Sequence, residues 1–155
     1  MAEDGKPAPN FKLPDENGKT LELAKLKGRP VVLYFYPKDD TSGCTAEAKD
    51  FSCLAGAFKA AGAEVLGVSP DGAVSHKKFI AKHDLEVRLV ADEEKTAAEA
   101  YGVWVEKSMY GKKYMGVERS TFLIDKAGRV AKSWRKVKVP GHAEEVLAAV
   151  QALKA

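Results

Sequence analysis

Val31-Val32-Leu33-Tyr34-Phe35-Tyr36 is an unbroken apolar run, stopped by Pro37. Its length and its β-branched and aromatic content favour a strand buried on both faces. A polar loop follows, Pro37-Lys38-Asp39-Asp40-Thr41-Ser42-Gly43-Cys44-Thr45, and then the period changes. Ala48, Phe51, Leu54, Ala55 and Phe58 recur at intervals of three and four, which predicts an amphipathic helix from Cys44 to about Ala61, closed by Gly62. Val65-Leu66-Gly67-Val68 is the next short apolar run. A right-handed crossover then joins two parallel strands through that helix.

The flanks extend the pattern. On the N-terminal side, Phe11-Lys12-Leu13 and Thr20-Leu21-Glu22-Leu23 alternate around Asp15-Glu16-Asn17-Gly18, a hairpin with an Asn-Gly turn. On the C-terminal side come a helix from Ala73 to Lys82 with Phe79 and Ile80 inward, a strand over Val87–Val90 and a short helix over Glu94–Tyr101. Ser120–Ile124 and Val130–Val137 form a second hairpin around Asp125-Lys126-Ala127-Gly128. A last helix after Pro140-Gly141 carries Val146, Leu147, Val150 and Leu153 on one face, and Glu144 and Glu145 at its positive end. The order β-β-β-α-β-α-β-α-β-β-α predicts an α/β protein, a central mixed sheet flanked by helices with an N-terminal β-hairpin. That layout is thioredoxin-like. In such sheets ligands gather at the carboxyl ends of strands, which directs attention to the loop between Tyr36 and Cys44.

Composition narrows the function. The 155 residues suit one domain, taken as 1–155. Hydrophobic residues are 45% and charged residues 30%, with a net charge of +3. A surplus that small gives no reason to expect nucleic acid as a partner, and the basic stretch Lys132–Lys138 reads as a solvated strand face. No apolar run approaches the roughly 20 residues that cross a bilayer. The acidic start, with no apolar h-region, predicts a cytoplasmic address. His76, His83 and His142 are scattered and no zinc spacing occurs, so neither a metal nor a cofactor is expected.

Two cysteines remain, Cys44 and Cys53. A reducing compartment disfavours a structural disulfide between them. Cys44 stands in the first turn of its helix, with Thr41 or Ser42 as the N-cap. A thiol there meets unpaired backbone N–H groups and the positive end of the helix dipole, and both favour thiolate. Ionisation alone is not enough. A free thiol is a few per cent thiolate at neutral pH, so complete ionisation gains only roughly 30-fold. The remainder must come from donors that stabilise the oxygen being displaced. Cys53, nine residues on, is about 13.5 Å along the helix, whereas a disulfide needs Cα atoms within roughly 7 Å.

Pro37, Thr41 and Cys44 together match P-x-x-x-T-x-x-C, and Arg119 lies in Gly116-Val117-Glu118-Arg119-Ser120-Thr121-Phe122-Leu123-Ile124-Asp125. Through these elements and nearly its whole length, the chain resembles the peroxiredoxin family, in its bacterioferritin-comigratory-protein or PrxQ branch. The resemblance implies a thioredoxin-dependent thiol peroxidase that reduces hydrogen peroxide and organic hydroperoxides. Cys44 would attack the peroxide and become a sulfenic acid. Thr41 and the Cys44 N–H would hydrogen-bond the substrate, Arg119 would hold the thiolate and polarise the O–O bond, and Pro37 would shield the oxidised sulfur. It also implies a monomer or weak dimer.

The sequence departs from many relatives in recycling. Lys49 stands where a resolving cysteine often follows, and Phe79-Ile80-Ala81 carries none on the next helix. A one-cysteine cycle is therefore expected, with an external thiol such as thioredoxin or glutaredoxin/glutathione as reductant. A disulfide reductase would need the absent C-x-x-C. A thioredoxin-fold binding or holdase module is the non-enzymatic alternative, and the joint presence of Pro37, Thr41, Cys44 and Arg119 argues against it.

Overall fold

A computed structural model describes residues 2–153. The buried run is strand β3 (Val31–Phe35), every residue of it inaccessible. It lies at the centre of a five-stranded sheet of order β5-β4-β3-β8-β9, with β4 at Glu64–Ser69, β5 at Arg88–Ala91, β8 at Ser120–Ile124 and β9 at Val130–Trp134. β3 runs parallel to β4 and antiparallel to β8, so the sheet is mixed, as the element order predicts.

The alternation of β3 divides the core. Val31, Leu33 and Phe35 point into a cluster with Phe122, Tyr101, Ala97 and the N-terminal hairpin residues Leu21 and Phe11. Val32, Tyr34 and Tyr36 point to the other face, among Cys44, Ala48, Phe51, Phe58, Phe79 and Val146. Helices α1 (Ser42–Cys53), α2 (Ala55–Ala60), α3 (Ala73–His83) and α5 (His142–Ala152) cover this second face. The first is covered by α4 (Thr96–Ala100) and by the hairpin of β1 (Lys12–Pro14) and β2 (Thr20–Glu22). Of the two residues expected inward on α3, Phe79 is buried and Ile80 only half-buried.

Two features differ from the sequence reading. The helix expected from Cys44 to Ala61 is broken at Leu54 (φ −99°, ψ 8°), whose N–H bonds back to the Phe51 carbonyl at 3.1 Å. The break lets Phe51 and Phe58 enter one core, ring centroids 5.8 Å apart. Gly56, a weak helix former, lowers the cost of the bend.

The second difference is an added hairpin, β6 (Trp104–Met109) with β7 (Lys112–Val117), in a stretch assigned no element from sequence. Most of its outer half is exposed on both faces, so no alternation marks it. Its two-residue turn is Tyr110-Gly111, both with positive φ (52° and 79°), the primed geometry that twisted hairpins favour. Tyrosine is an unusual occupant there, which hides the turn from composition.

Candidate active site

The chain leaves β3 through Tyr36, whose N–H bonds to the Val68 carbonyl at 3.0 Å, and reaches α1 six residues later, at Ser42. This connecting loop is tied to α3 along its length. The Asp39 carboxylate is buried and faces three side chains: Tyr36 Oη at 2.5 Å, Ser75 Oγ at 2.8 Å and His76 Nδ1 at 2.8 Å. His76, wholly inaccessible, reaches the Val90 carbonyl through Nε2 at 2.9 Å. Both ring nitrogens are thus engaged, and the residue anchors the loop. Asp40 adopts left-handed backbone (φ 61°), a conformation aspartate tolerates better than most residues. Both its oxygens are engaged by α3, one by His83 Nε2 (2.8 Å) and one by Lys82 Nζ (2.6 Å).

Thr41 is the N-cap of α1 in backbone geometry, but its side chain does not cap. Its hydroxyl instead donates to the Lys38 carbonyl at 2.9 Å, which leaves the oxygen lone pairs free. The expected cap hydrogen bond is thus replaced by one that closes the loop on itself. Cys44 is the third residue of α1, 2% exposed, among first-turn N–H groups that have no intrahelical acceptor.

Arg119 enters from the segment between β7 and β8. Its Nη2 is 3.3 Å from Cys44 Sγ and its Nη1 is 2.5 Å from Glu47 Oε1. Gly43 makes room for it: a Cβ there would stand 3.3 Å from Nη2. Burial works against the guanidinium charge, but Glu47 and Cys44 beside it hold it protonated above the ordinary range. The structure thus joins Cys44 and Arg119 directly, with Thr41 one turn before the sulfur and half-buried Pro37 at the loop entrance.

Sequence reasoning missed Glu47. It is 1% exposed, its Oε2 has no hydrogen-bond partner, and burial pushes its carboxyl up to about 7 despite Arg119. Position was the available signal: Cys44, Glu47, Ala48 and Phe51 are spaced three and four apart and share the buried face of α1. Lys107 of β6 also bears on the site. Burial and the Arg119 charge lower its pKa, while Cys44 and Glu118 oppose them. Cys53, at the exposed end of α1, is a free thiol like Cys44.

A buried thiol at a helix N-terminus, under a guanidinium and on a thioredoxin-like sheet, defines a thiol-based redox protein. Among the described residues no group of side chains could hold a metal ion. The chain belongs to the AhpC/TSA family of peroxiredoxins, whose family model matches residues 5–133. It is 51% identical to peroxiredoxin Bcp of Bacillus subtilis over 145 residues, 94% of this chain and 92% of the relative. Among solved structures, peroxiredoxin Q of Xanthomonas campestris is similar with a TM-score of 0.88 at 47% identity, covering 92% of this chain and 90% of that one. PrxQ of Xylella fastidiosa gives 0.93 at 40% identity, covering 98% and 97%. The expected family, its Bcp/PrxQ branch and the thioredoxin fold are borne out.

Proposed function

We propose that this thiol-dependent peroxidase works through Cys44, and the observation that carries the assignment is the 3.3 Å contact of Arg119 with its sulfur. The thiolate attacks the terminal peroxide oxygen, an S–O bond forms and the O–O bond breaks. Sulfur is oxidised by two electrons to a sulfenic acid, and the other oxygen leaves as water or an alcohol after taking a proton. The Thr41 hydroxyl, with its proton committed to Lys38, accepts the hydrogen of the peroxide O–H. Arg119 and the Cys44 N–H face the oxygen that gains charge. Glu47 orients Arg119, and Pro37 covers the oxidised sulfur.

Both hydrogen peroxide and organic hydroperoxides are substrates in this reading. Organic substrates are favoured by the alkyl peroxide reduction described for the Xanthomonas campestris bacterioferritin comigratory protein, which is 45% identical with a TM-score of 0.91. The sulfenic acid condenses with an external thiol to give a mixed disulfide and water. A second thiol then releases Cys44 and the oxidised reductant. Thioredoxin and glutaredoxin/glutathione are the reductant classes, and the protein acts as a cytoplasmic monomer or weak dimer. No helix among the described residues is long and apolar enough to cross a membrane.

The test is single-turnover peroxide reduction followed by mass spectrometry with a sulfenic-acid trap. Cys44→Ser abolishes reduction and Cys53→Ser retains it. The oxidised wild type carries a trapped adduct on Cys44, with Cys53 still alkylatable. Equal loss in both variants would remove the assignment. A monomer two mass units lighter with a linked Cys44–Cys53 peptide would make Cys53 the resolving residue.

A further inference from the structure

Among the described residues, four of the five large apolar side chains that stand exposed lie on the β6–β7 ribbon: Met109 (56%), Tyr110 (96%), Tyr114 (44%) and Met115 (50%). Isolated exposed hydrophobics need no explanation, but a group on one small element does. Strand register sorts them. Lys107 faces Tyr114 and Met109 faces Lys112 across the ribbon, so Lys107, Met109, Lys112 and Tyr114 share one surface, with Tyr110 at its tip. Met115 belongs to the opposite surface, with Glu106 and Lys113, which pair at 3.6 Å. Neither Lys107 nor Lys112 has a carboxylate partner among the described residues.

The ribbon begins at the active site. Its base is pinned where the Glu118 N–H bonds to the Val103 carbonyl at 2.7 Å, and Arg119 is the next residue. Lys107 lies close enough to feel the charges of both Arg119 and Cys44. Gly116, opposite Val105, is the slot for its stem: a Cβ there would stand 3.2 Å from Lys107 Cδ. From Lys107 to Tyr110 the strand then projects about 10 Å outward at 3.3 Å per residue. The surface is therefore an apolar strip with unpaired ammonium groups, leading from the thiol to solvent.

The cycle requires a thiol to reach a sulfur that is only 2% exposed. A small thiol can diffuse in, but a protein thiol must first be held against the surface beside it. We infer that the Lys107 face of the β6–β7 ribbon is the docking surface for a protein thiol reductant, one whose reactive sulfur sits in an apolar collar flanked by carboxylates. Met109, Tyr110 and Tyr114 supply the apolar contact, and Lys107 and Lys112 fix the orientation and speed encounter. The inference rests on the peroxidase reading, and a small dithiol separates the two.

Steady-state turnover is measured with thioredoxin and its reductase, and in parallel with dithiothreitol, for the wild type, Tyr110→Ser/Tyr114→Ser and Lys112→Glu. The expected result is a KM for thioredoxin raised at least about tenfold in both variants, with dithiothreitol turnover and peroxide attack within about twofold of wild type. The thioredoxin KM of the wild type also rises with salt, and that of Lys112→Glu rises less. An unchanged KM overturns the inference, and so does a parallel fall with both reductants. Wild-type turnover with dithiothreitol but none with thioredoxin overturns it as well. Sedimentation showing a wild-type dimer that the double variant disperses, with KM unchanged, would assign the strip to a second copy instead. Failure of dithiothreitol to support any wild-type turnover would refute the peroxidase reading itself.

Discussion

Replacing Glu47 with glutamine should stabilise the protein progressively as pH rises from about 4.5 to 7, fully above that window and not at all below it. The carboxyl is 1% exposed, and burial lifts it from an ordinary 4.5 to about 7, even with Arg119 at 2.5 Å. The folded state therefore keeps this proton to higher pH than the unfolded chain does. Its contribution to stability is complete below about 4.5 and is lost as pH rises through 7. At 1.36 kcal/mol per pH unit, the loss by pH 8 is on the order of 3 kcal/mol. Glutamine mimics the protonated carboxyl, since Oε1 still accepts from Arg119 and the amide replaces an atom that has no partner in either case. The variant should therefore behave at every pH as the wild type does in acid. Urea unfolding at pH 4.5, 6, 7 and 8, with Cys44→Ser in both proteins to remove thiol ionisation, measures the gap. It should be near zero at pH 4.5 and widen to roughly 3 kcal/mol by pH 8. Peroxide attack, tested with Cys44 present, should slow, because Arg119 loses its anionic tether; such trade-offs are usual where a site stores unfavourable energy. A gap constant across this range, or one that closes as pH rises, would refute the reasoning.

Arg119→Met should slow peroxide attack by at least roughly 100-fold even at a pH where the thiol is fully ionised, since the donor that contacts the sulfur is lost together with its charge; stopped-flow rates across pH check this, and recovery at high pH would reduce Arg119 to an ionising role. Asp39→Asn should cost roughly 2–4 kcal/mol in denaturant unfolding, because Tyr36, Ser75 and His76 all face that carboxylate; a cost below about 1 kcal/mol would show that the loop is held elsewhere.

The legible parts of the fold and site were those written in short stretches. The apolar run to Tyr36, its stop at Pro37 and the change of period after Cys44 each depend on neighbours in sequence, and β3, the loop and α1 follow them. Arg119 is different. No local pattern marks it, and 75 residues separate it from the sulfur it touches; only the family resemblance singled it out. Glu47 was hidden because an acid in an amphipathic helix reads as solvent-facing, and its burial goes with a partner that arrives from the distant segment between β7 and β8. The loop's anchors, Asp39 to His76 and Asp40 to Lys82 and His83, bridge 37 to 43 residues and were equally invisible. The β6–β7 ribbon left no trace for the opposite reason: with its outer half open to solvent, nothing selects an apolar period.

In the proposed cycle, the same packing bears on how an oxidised Cys44 would be returned. Cys44 and Cys53 both lie in α1, nine residues apart, so bonding them means unwinding most of that helix. Ala48 and Phe51 lie between them, both buried, and Phe51 stacks on Tyr34 at 4.6 Å between ring centroids. Exposing Phe51 alone costs roughly 2–3 kcal/mol, before the helix hydrogen bonds are counted. Opening only the first turn is cheaper. Ser42 and Gly43 bury little, Thr41 is exposed, and helix ends fray first. In that cycle the low-cost motion would present a Cys44 sulfenic acid outward, beside Arg119 and the foot of the ribbon, and leave Cys53 where it is. An external thiol arriving at that end of α1 meets the oxidised sulfur after a small rearrangement, whereas Cys53 meets it only after part of the core has come apart.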